Sequence, residues 1–252
     1  MTGRPSAPDV VIVGGGVIGC ATAYFLATKH RQRCLIIERD AIGSAASGGA
    51  AGELAAVELA TGGGGPHDET YTRFLQEGIA LHSRLAPALL EESGIDYLLT
   101  DLPMLRPAFD EAEAAALQAQ LDSGVGGEWL NAESLGAMDS WLAANAIGAA
   151  YSLEMQLEAY PFTIALAQAA EQHGVDIRTG EVTGLEAANG RVTGVRVGAE
   201  TIEAGNVLIA NNLLAKATAT ATTHVSFSAS ASTSKRLPLE ATHASTALLS
   251  TL

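Results

Sequence analysis

The chain has 252 residues and a formal charge of −14, so it is long enough to bury a large core in one large or two modest domains. The acidic balance, with no run of Lys and Arg to offset it, argues against a nucleic acid or an anionic membrane surface as partner, because either needs a basic face. Two cysteines, Cys20 and Cys34, match neither a CxxC pair nor a zinc quartet. They read as buried thiols in a reducing cytoplasm, and no metal site is expected.

Met1 to Asp9 is short and polar, and the apolar segment after it lacks the basic region and small-residue cleavage site of a secretory signal. The β-branched run Val10-Val11-Ile12-Val13 stops at Gly14-Gly15-Gly16, and a helical pattern resumes through Ala21, Ala23, Phe25 and Leu26. Gly14, Gly16 and Gly19 form GxGxxG. The first permits a tight turn, the second lets backbone approach a pyrophosphate, and the third lets helix and strand pack closely. Val10 to Ala27 is nearly as long as a membrane span, but the glycine turn favours a buried parallel strand followed by a helix in a soluble protein. That helix leaves Gly16 and ends near Lys29 and His30, cations suited to a helix C-terminus. A second strand, Cys34 to Ile37, ends at Glu38, about 20 residues beyond the glycines, where a carboxylate accepts a ribose hydroxyl. A dinucleotide is the implied ligand, and Glu38 fits NAD as well as FAD.

Arg39 to Glu53 holds almost nothing but small residues. Composition alone favours a linker, whereas its placement after the ribose-binding acid favours backbone approach to a flat, bulky ligand, with serines donating to phosphate or ribityl oxygens. Taken together, Val11 to Gly19, Ile37-Glu38-Arg39 and the Ser44 to Gly52 segment resemble the FAD-dependent amine and amino-acid oxidoreductases of the D-amino-acid oxidase, glycine oxidase and sarcosine oxidase type, glycine oxidase most of all. The resemblance implies FAD held at its pyrophosphate by Gly14, Gly16, Val17, Ile18 and Gly19, and at its adenosine by Glu38 and Arg39. It also implies backbone at Ala46, Ser47, Ala51 and Gly52 near phosphate and flavin ring. Glu53 departs from the pattern, which usually has an apolar residue there; a carboxylate near the flavin disfavours an anionic reduced ring.

Further along, Thr61 to Asp68, with four consecutive glycines, reads as a mobile loop ending in His67 and Asp68. Glu69 to Glu92 has helical spacing closed by Ser93-Gly94. Ile95 to Phe109 reads as strand, turn, strand, and Asp110 as the cap of an alanine-rich helix with Glu111 and Glu113 in its first turn. Glu128 to Leu135 resembles a strand-to-helix step of the family's substrate domain, and Gly148 to Tyr151 the strand after it. Tyr160-Pro161 opens another helix that stops at His173-Gly174, with His173 as a terminal cation. Strands follow at Val175 to Ile177, Val182 to Glu186, Val192 to Val197 and Val207 to Ala210, with Asn189-Gly190 marking a hairpin. The resemblance places the backbone of Val182 against adenine. The last strand ends Ala210-Asn211-Asn212 where the family has a glycine-bearing turn. Leu213 to Leu252, rich in Ala, Ser and Thr, is expected to be disordered, and the resemblance is expected to stop beyond Asn212, as in a truncated, split or frameshifted reading frame.

The expected architecture is α/β: a Rossmann-like FAD-binding domain assembled from residues 1–65 and 161–212, interrupted by a partial α+β substrate domain over 66–160, with a low-complexity tail over 213–252. The implied reaction is hydride transfer to flavin from the CH–NH or CH–NH2 group of a small amino acid or secondary amine, in the cytoplasm. No catalytic side chain is assigned, and Arg73 and Arg106 read as surface or structural cations. Two other readings stand beside it: a flavin-binding fragment or subunit completed by a partner chain, and an NAD-linked protein.

Overall fold

The computed structural model describes residues 7–54, 69–122, 126–138 and 145–211. In chain order the elements are β1 (Val10–Val13), α1 (Val17–His30), β2 (Cys34–Glu38), β3 (Glu53–Leu54), α2 (Glu69–Ser93), β4 (Thr100–Ala108), α3 (Glu111–Asp122), β5 (Glu128–Asn131) and α4 (Ala132–Ala137). They continue with β6 (Gly148–Gln156), α5 (Ala159–Gln172), β7 (Asp176–Thr179), β8 (Val182–Ala188), β9 (Arg191–Val197), β10 (Glu200–Glu203) and β11 (Asn206–Ile209). The chain divides into two compact units, one of residues 1–50, 89–95 and 159–252, the other of 51–88 and 96–158. The glycine loop expected at Thr61 to Asp68 and the tail expected after Asn212 lie outside the described residues.

The first unit is built on a parallel sheet in the order β11-β1-β2-β7. Such a sheet is covered on both faces, so its central strand reads as an unbroken apolar run; all four residues of β1 are buried. On one face, α1 packs against β1 and β2, and α5 packs against α1. The small residues Ala165, Ala167, Ala169 and Ala170 of α5 are buried and allow that close approach. On the other face, Val11, Val13 and Ile37 form one cluster with Val182, Val195 and Val197 of the antiparallel sheet β10-β9-β8 and with Ala204, which follows β10. The β8–β9 hairpin turns at Asn189 and Gly190, both with positive φ of 53° and 74°, as a two-residue hairpin turn of this sequence requires. The starts of β1 and β2 are tied by Arg33, whose guanidinium donates to Asp9 at 2.7 Å and holds that carboxyl below its ordinary range.

The end of α2 also belongs to this unit. Glu92 meets His173 Nε2 at 3.0 Å, so the expected terminal cation has a specific partner rather than only a helix dipole. Tyr24 of α1 stacks edge-on to His173 at 5.8 Å between centroids, and its phenol is pushed up to about 12 by burial and then by the Glu92 carboxylate.

In the second unit β6 is central, pairing β4 along one edge and both β3 and β5 along the other. β4, which pairs only with β6 among the described residues, carries Pro103 and Pro107, a placement that suits a residue with no N–H to give to a ladder. Ala114 and Leu117 of α3 pack on Ala108 and Ala150, with Leu121 and Trp129 at the margin. As the sequence suggests, Asp110 Oδ1 accepts the N–H groups of Ala112 and Glu113 at 2.9 Å each, and Asn131 caps α4 through Ser134 N–H at 2.9 Å.

Two expectations need correction. Ile95 to Phe109 is not strand, turn, strand: 95–99 form no strand, because Asp96 accepts Leu98 N–H at 2.8 Å and Leu98 takes a φ of 54°, and one strand, β4, follows. The strand expected at Val175 to Ile177 begins at Asp176 and runs to Thr179, where pairing with β2 sets its limits. The short strands β3 and β10 have no pattern strong enough to be read from sequence.

Leu166, 1% exposed on α5, tests the helix layer. Leu166→Ala should cost about 2–5 kcal/mol in urea unfolding with an unchanged slope; a loss below about 1 kcal/mol would contradict the packing described.

Candidate functional site

The β1–α1 turn is fixed by the exclusion of side chains. Gly14 has φ of 116°, and a Cβ there would lie 2.7 Å from the carbonyl oxygen of Ala210, so the end of β11 rests on the turn. A Cβ at Gly19 would strike the Gly14 carbonyl oxygen, and one at Gly16 would lie 2.9 Å from Ser47 Oγ. Gly15, which GxGxxG leaves free, is equally constrained: a Cβ there would strike Ile42 Cδ1 and lie 3.1 Å from Glu38 Cβ. The sequence signal was the middle glycine of the run 14–16, but the motif does not ask for it.

Helix α1 begins at this turn, and its first N–H groups lack intrahelical acceptors. Val17 N–H donates to Ser47 Oγ at 3.0 Å, while Cys20 N–H makes a helical bond to Gly16 at 3.0 Å. No acidic residue occupies the first turn. The positive end of the helix dipole is therefore bordered by glycine and one hydroxyl, a surface suited to an anion.

Glu38 closes the other side. Its Oε2 accepts Gly15 N–H at 2.7 Å and its Oε1 accepts Asp40 N–H at 2.9 Å. A carboxylate has about four lone-pair sites, so two backbone donors orient the group and leave capacity for a hydroxyl donor. The small-residue segment is a compact series of turns rather than a linker. Gly43 N–H donates to Gly15 C=O at 2.9 Å; Gly43 has φ of 68° and faces Tyr160 and Thr163 of α5, and a Cβ at Gly48 would lie 2.8 Å from Tyr160 Cδ2.

The structure brings Gly14, Gly16, Val17, Ile18, Gly19, Glu38 and Ser47 into one constellation. Gly180 N–H donates to the Glu38 carbonyl at 2.8 Å, which sets the start of β8, and so Val182, just beyond the end of β2; the Val182 side chain is buried in the core. Arg39 points to Asp40, with its Nε donating at 3.2 Å, and both side chains are exposed. Ala46 is exposed in the turn segment. Ala51, Gly52 and Glu53 fall in the second unit. There Gly52 has φ of 82° and its carbonyl accepts Leu157 N–H at 2.9 Å, while Glu53 pairs with Gln156 and keeps its side chain exposed. Arg73 lies within 3.8 Å of Glu77 in an exposed pair. Arg106 is largely buried and bonded to Ser152 and Glu154.

Gly14, Gly16 and the α1 N-terminus fit a diphosphate, and Glu38 fits a ribose, on the geometry above. The family described as FAD dependent oxidoreductase (DAO) matches residues 9–247, which runs past Asn212, where the resemblance was expected to stop. Glycine oxidase of Geobacillus kaustophilus strain HTA426 is 37% identical over 177 residues, covering 66% of this chain and 44% of its own. Sarcosine oxidase subunit beta of an Arthrobacter species is 31% identical over 216 residues, covering 80% and 50%. The crystal structure of glycine oxidase from Geobacillus kaustophilus superposes with a TM-score of 0.71 at 32% identity, covering 81% of this chain and 55% of that one. The chain thus spans about half the length of the curated relatives it matches.

Both thiols are free and buried. Burial, then the Glu38 carboxylate, pushes Cys20 up to about 12, and burial, then Asp9, pushes Cys34 up to about 11. Only thiolates alkylate readily, so iodoacetamide at pH 8 should label neither cysteine in the folded protein and both in urea, as read by intact mass. Native labelling at the rate seen in urea would show that this turn is not closed.

Proposed function

Because the chain belongs to the FAD dependent oxidoreductase family, we propose that it holds FAD by its adenosine diphosphate and serves oxidation of the CH–NH or CH–NH2 group of a small amino acid or secondary amine. The observation that carries this reading is the glycine turn at the α1 N-terminus, bordered by Ser47 Oγ and Glu38. Gly14, Gly16, Val17, Ile18 and Gly19 face the diphosphate. Ser47 exchanges its bond to Val17 N–H for one to phosphate, and Ala46 supplies backbone beside it. Glu38 accepts the ribose hydroxyls, with Arg39 nearby and the Val182 backbone against adenine. Ala51, Gly52 and Glu53 approach the flavin. Bound FAD supplies the acceptor for hydride, and the protein contributes orientation and electrostatics.

In this reading residues 1–65 and 161–212 make the nucleotide-binding domain, and 66–160 part of a substrate domain. The compartment is the cytoplasm; among the described residues no helix is long and apolar enough to cross a membrane. A second reading, a flavin-holding subunit whose site a partner chain completes, is favoured by the likeness to a sarcosine oxidase subunit.

Purified chain titrated with FAD should turn yellow and quench flavin fluorescence, and Gly16→Val, which drives a side chain into Ser47, should weaken binding at least tenfold (about 1.4 kcal/mol or more) with an unchanged circular dichroism spectrum. Protein that stays colourless would overturn the proposal. Anaerobic bleaching by glycine, sarcosine or D-alanine supports an autonomous oxidoreductase; loaded flavin that stays oxidised supports the partner-chain reading.

A further inference from the structure

The turn that carries Ser47 has little with which to hold itself. Every residue from Gly43 to Ala50 is Gly, Ala or Ser, and Ser44, Ala45, Ala46 and Gly49 are exposed, so the segment buries little apolar surface of its own to offset the entropy of ordering it. Its backbone is tied at Gly43, whose N–H donates to the Gly15 carbonyl, and within itself by Ser44 N–H to Ala41 C=O at 3.1 Å and Gly49 N–H to Ala45 C=O at 3.3 Å. A large side chain is set against it from α5. A Cβ at Gly43 would lie 3.2 Å from Tyr160 Cδ2, and one at Gly48 would lie 2.8 Å from the same atom. One edge of the Tyr160 ring therefore lies against both of the glycines that bracket Ser47. The helix beneath the ring is anchored, since Phe162, Thr163 and Leu166 are buried and α5 packs on α1, the helix whose N-terminus Ser47 meets. Tyr160 itself is 48% exposed, so burial in the core does not account for its place.

We propose that Tyr160 is a positioning residue: its ring backs the turn over residues 43–48 and thereby keeps the Ser47 hydroxyl at the N-terminus of α1. The link is mechanical. Without the ring, the glycines at 43, 48 and 49 regain the conformational freedom that a missing Cβ allows, and Ser47 Oγ samples positions away from Val17 N–H. A group that contacts a ligand keeps its value only when its support sits on a rigid element, and α5 is that element here. The effect on a diphosphate rests on the functional reading above; the hold on Ser47 rests on the geometry of the first unit alone.

The test reads the bond between Val17 N–H and Ser47 directly, by amide hydrogen exchange of the flavin-free full-length chain followed by NMR. Exchange at Val17 should quicken by about tenfold or more in Tyr160→Ala, as in Ser47→Ala, and stay at the wild-type rate in Tyr160→Phe, which keeps Cδ2. The amides of Ile12 and Ile36 in the sheet should keep their rates, because a local opening leaves the core closed. If Tyr160→Ala does not fold, Tyr160→Val, which is apolar but has no δ carbon, is read in its place with the same expectation. An unchanged Val17 rate in the folded variant, or a quickening shared equally by Ile12 and Ile36, would overturn the proposal. Calorimetric titration with ADP supplies the second readout. Tyr160→Ala and Ser47→Ala should each weaken ADP by about fivefold or more, and the double variant should lose no more than Ser47→Ala alone, since both changes act through one hydroxyl. Undiminished ADP affinity in Tyr160→Ala, or additive losses, would also overturn it. Failure of the wild type to bind ADP overturns the functional reading alone, and the Val17 rate then decides this proposal.

Discussion

The structure depends on a region where side chains are forbidden. At Gly14, Gly15 and Gly16 the space that a Cβ would fill is taken by a neighbour from a different part of the chain, the Ala210 carbonyl, Ile42 with Glu38 and the Ser47 hydroxyl, and at Gly19 it is taken by the Gly14 carbonyl of the same turn. The turn is thus a junction where β11, β2, the small-residue segment and α1 are drawn to one point. The same closeness that lets these elements meet leaves a helix terminus bordered only by the Ser47 hydroxyl and the Glu38 carboxylate. Packing and anion recognition here are one arrangement seen from two sides.

That double use explains why this part of the molecule is legible from sequence. The four-residue apolar strand, the glycines and the acid at position 38 each follow from a short-range rule, and short-range rules survive without knowledge of the fold. Asn189-Gly190 and Asp110 are legible for the same reason, since hairpin and cap geometry are local. Ile95 to Phe109 was not: an Asp96 side chain captured a backbone N–H and stopped a strand that the apolar count favoured. Gly15, Gly43 and Gly48 were missed as constrained positions because their neighbours, Glu38, Ile42 and Tyr160, are brought there only by tertiary structure.

The second unit shows the opposite case. Nothing in the spacing of Arg106, Ser152 and Glu154 marks them as a group, because their meeting depends on the antiparallel register of β4 with β6. A chain read as sequence shows an arginine between two apolar neighbours and a glutamate in an alternating strand. Only the pairing shows that the two are buried together and that one carboxylate oxygen receives every bond. The chemistry of a cofactor grip is written locally, whereas polar groups that share a sheet face are written across it.

The parallel sheet pairs β1 with β11 along its whole length, Val10 with Asn206 at one end and Val13 with Ile209 at the other. These strands lie at opposite ends of the described chain, and the whole second unit is threaded between them. Non-local pairing of this kind is slow to form, and during synthesis the N-terminal half of the chain emerges first. The glycine turn is made within the first twenty residues to leave the ribosome, yet the carbonyl that closes over Gly14 belongs to Ala210. For most of the time the chain is being made, the nucleotide grip is therefore an open β-α-β unit with one exposed strand edge, and it is completed last.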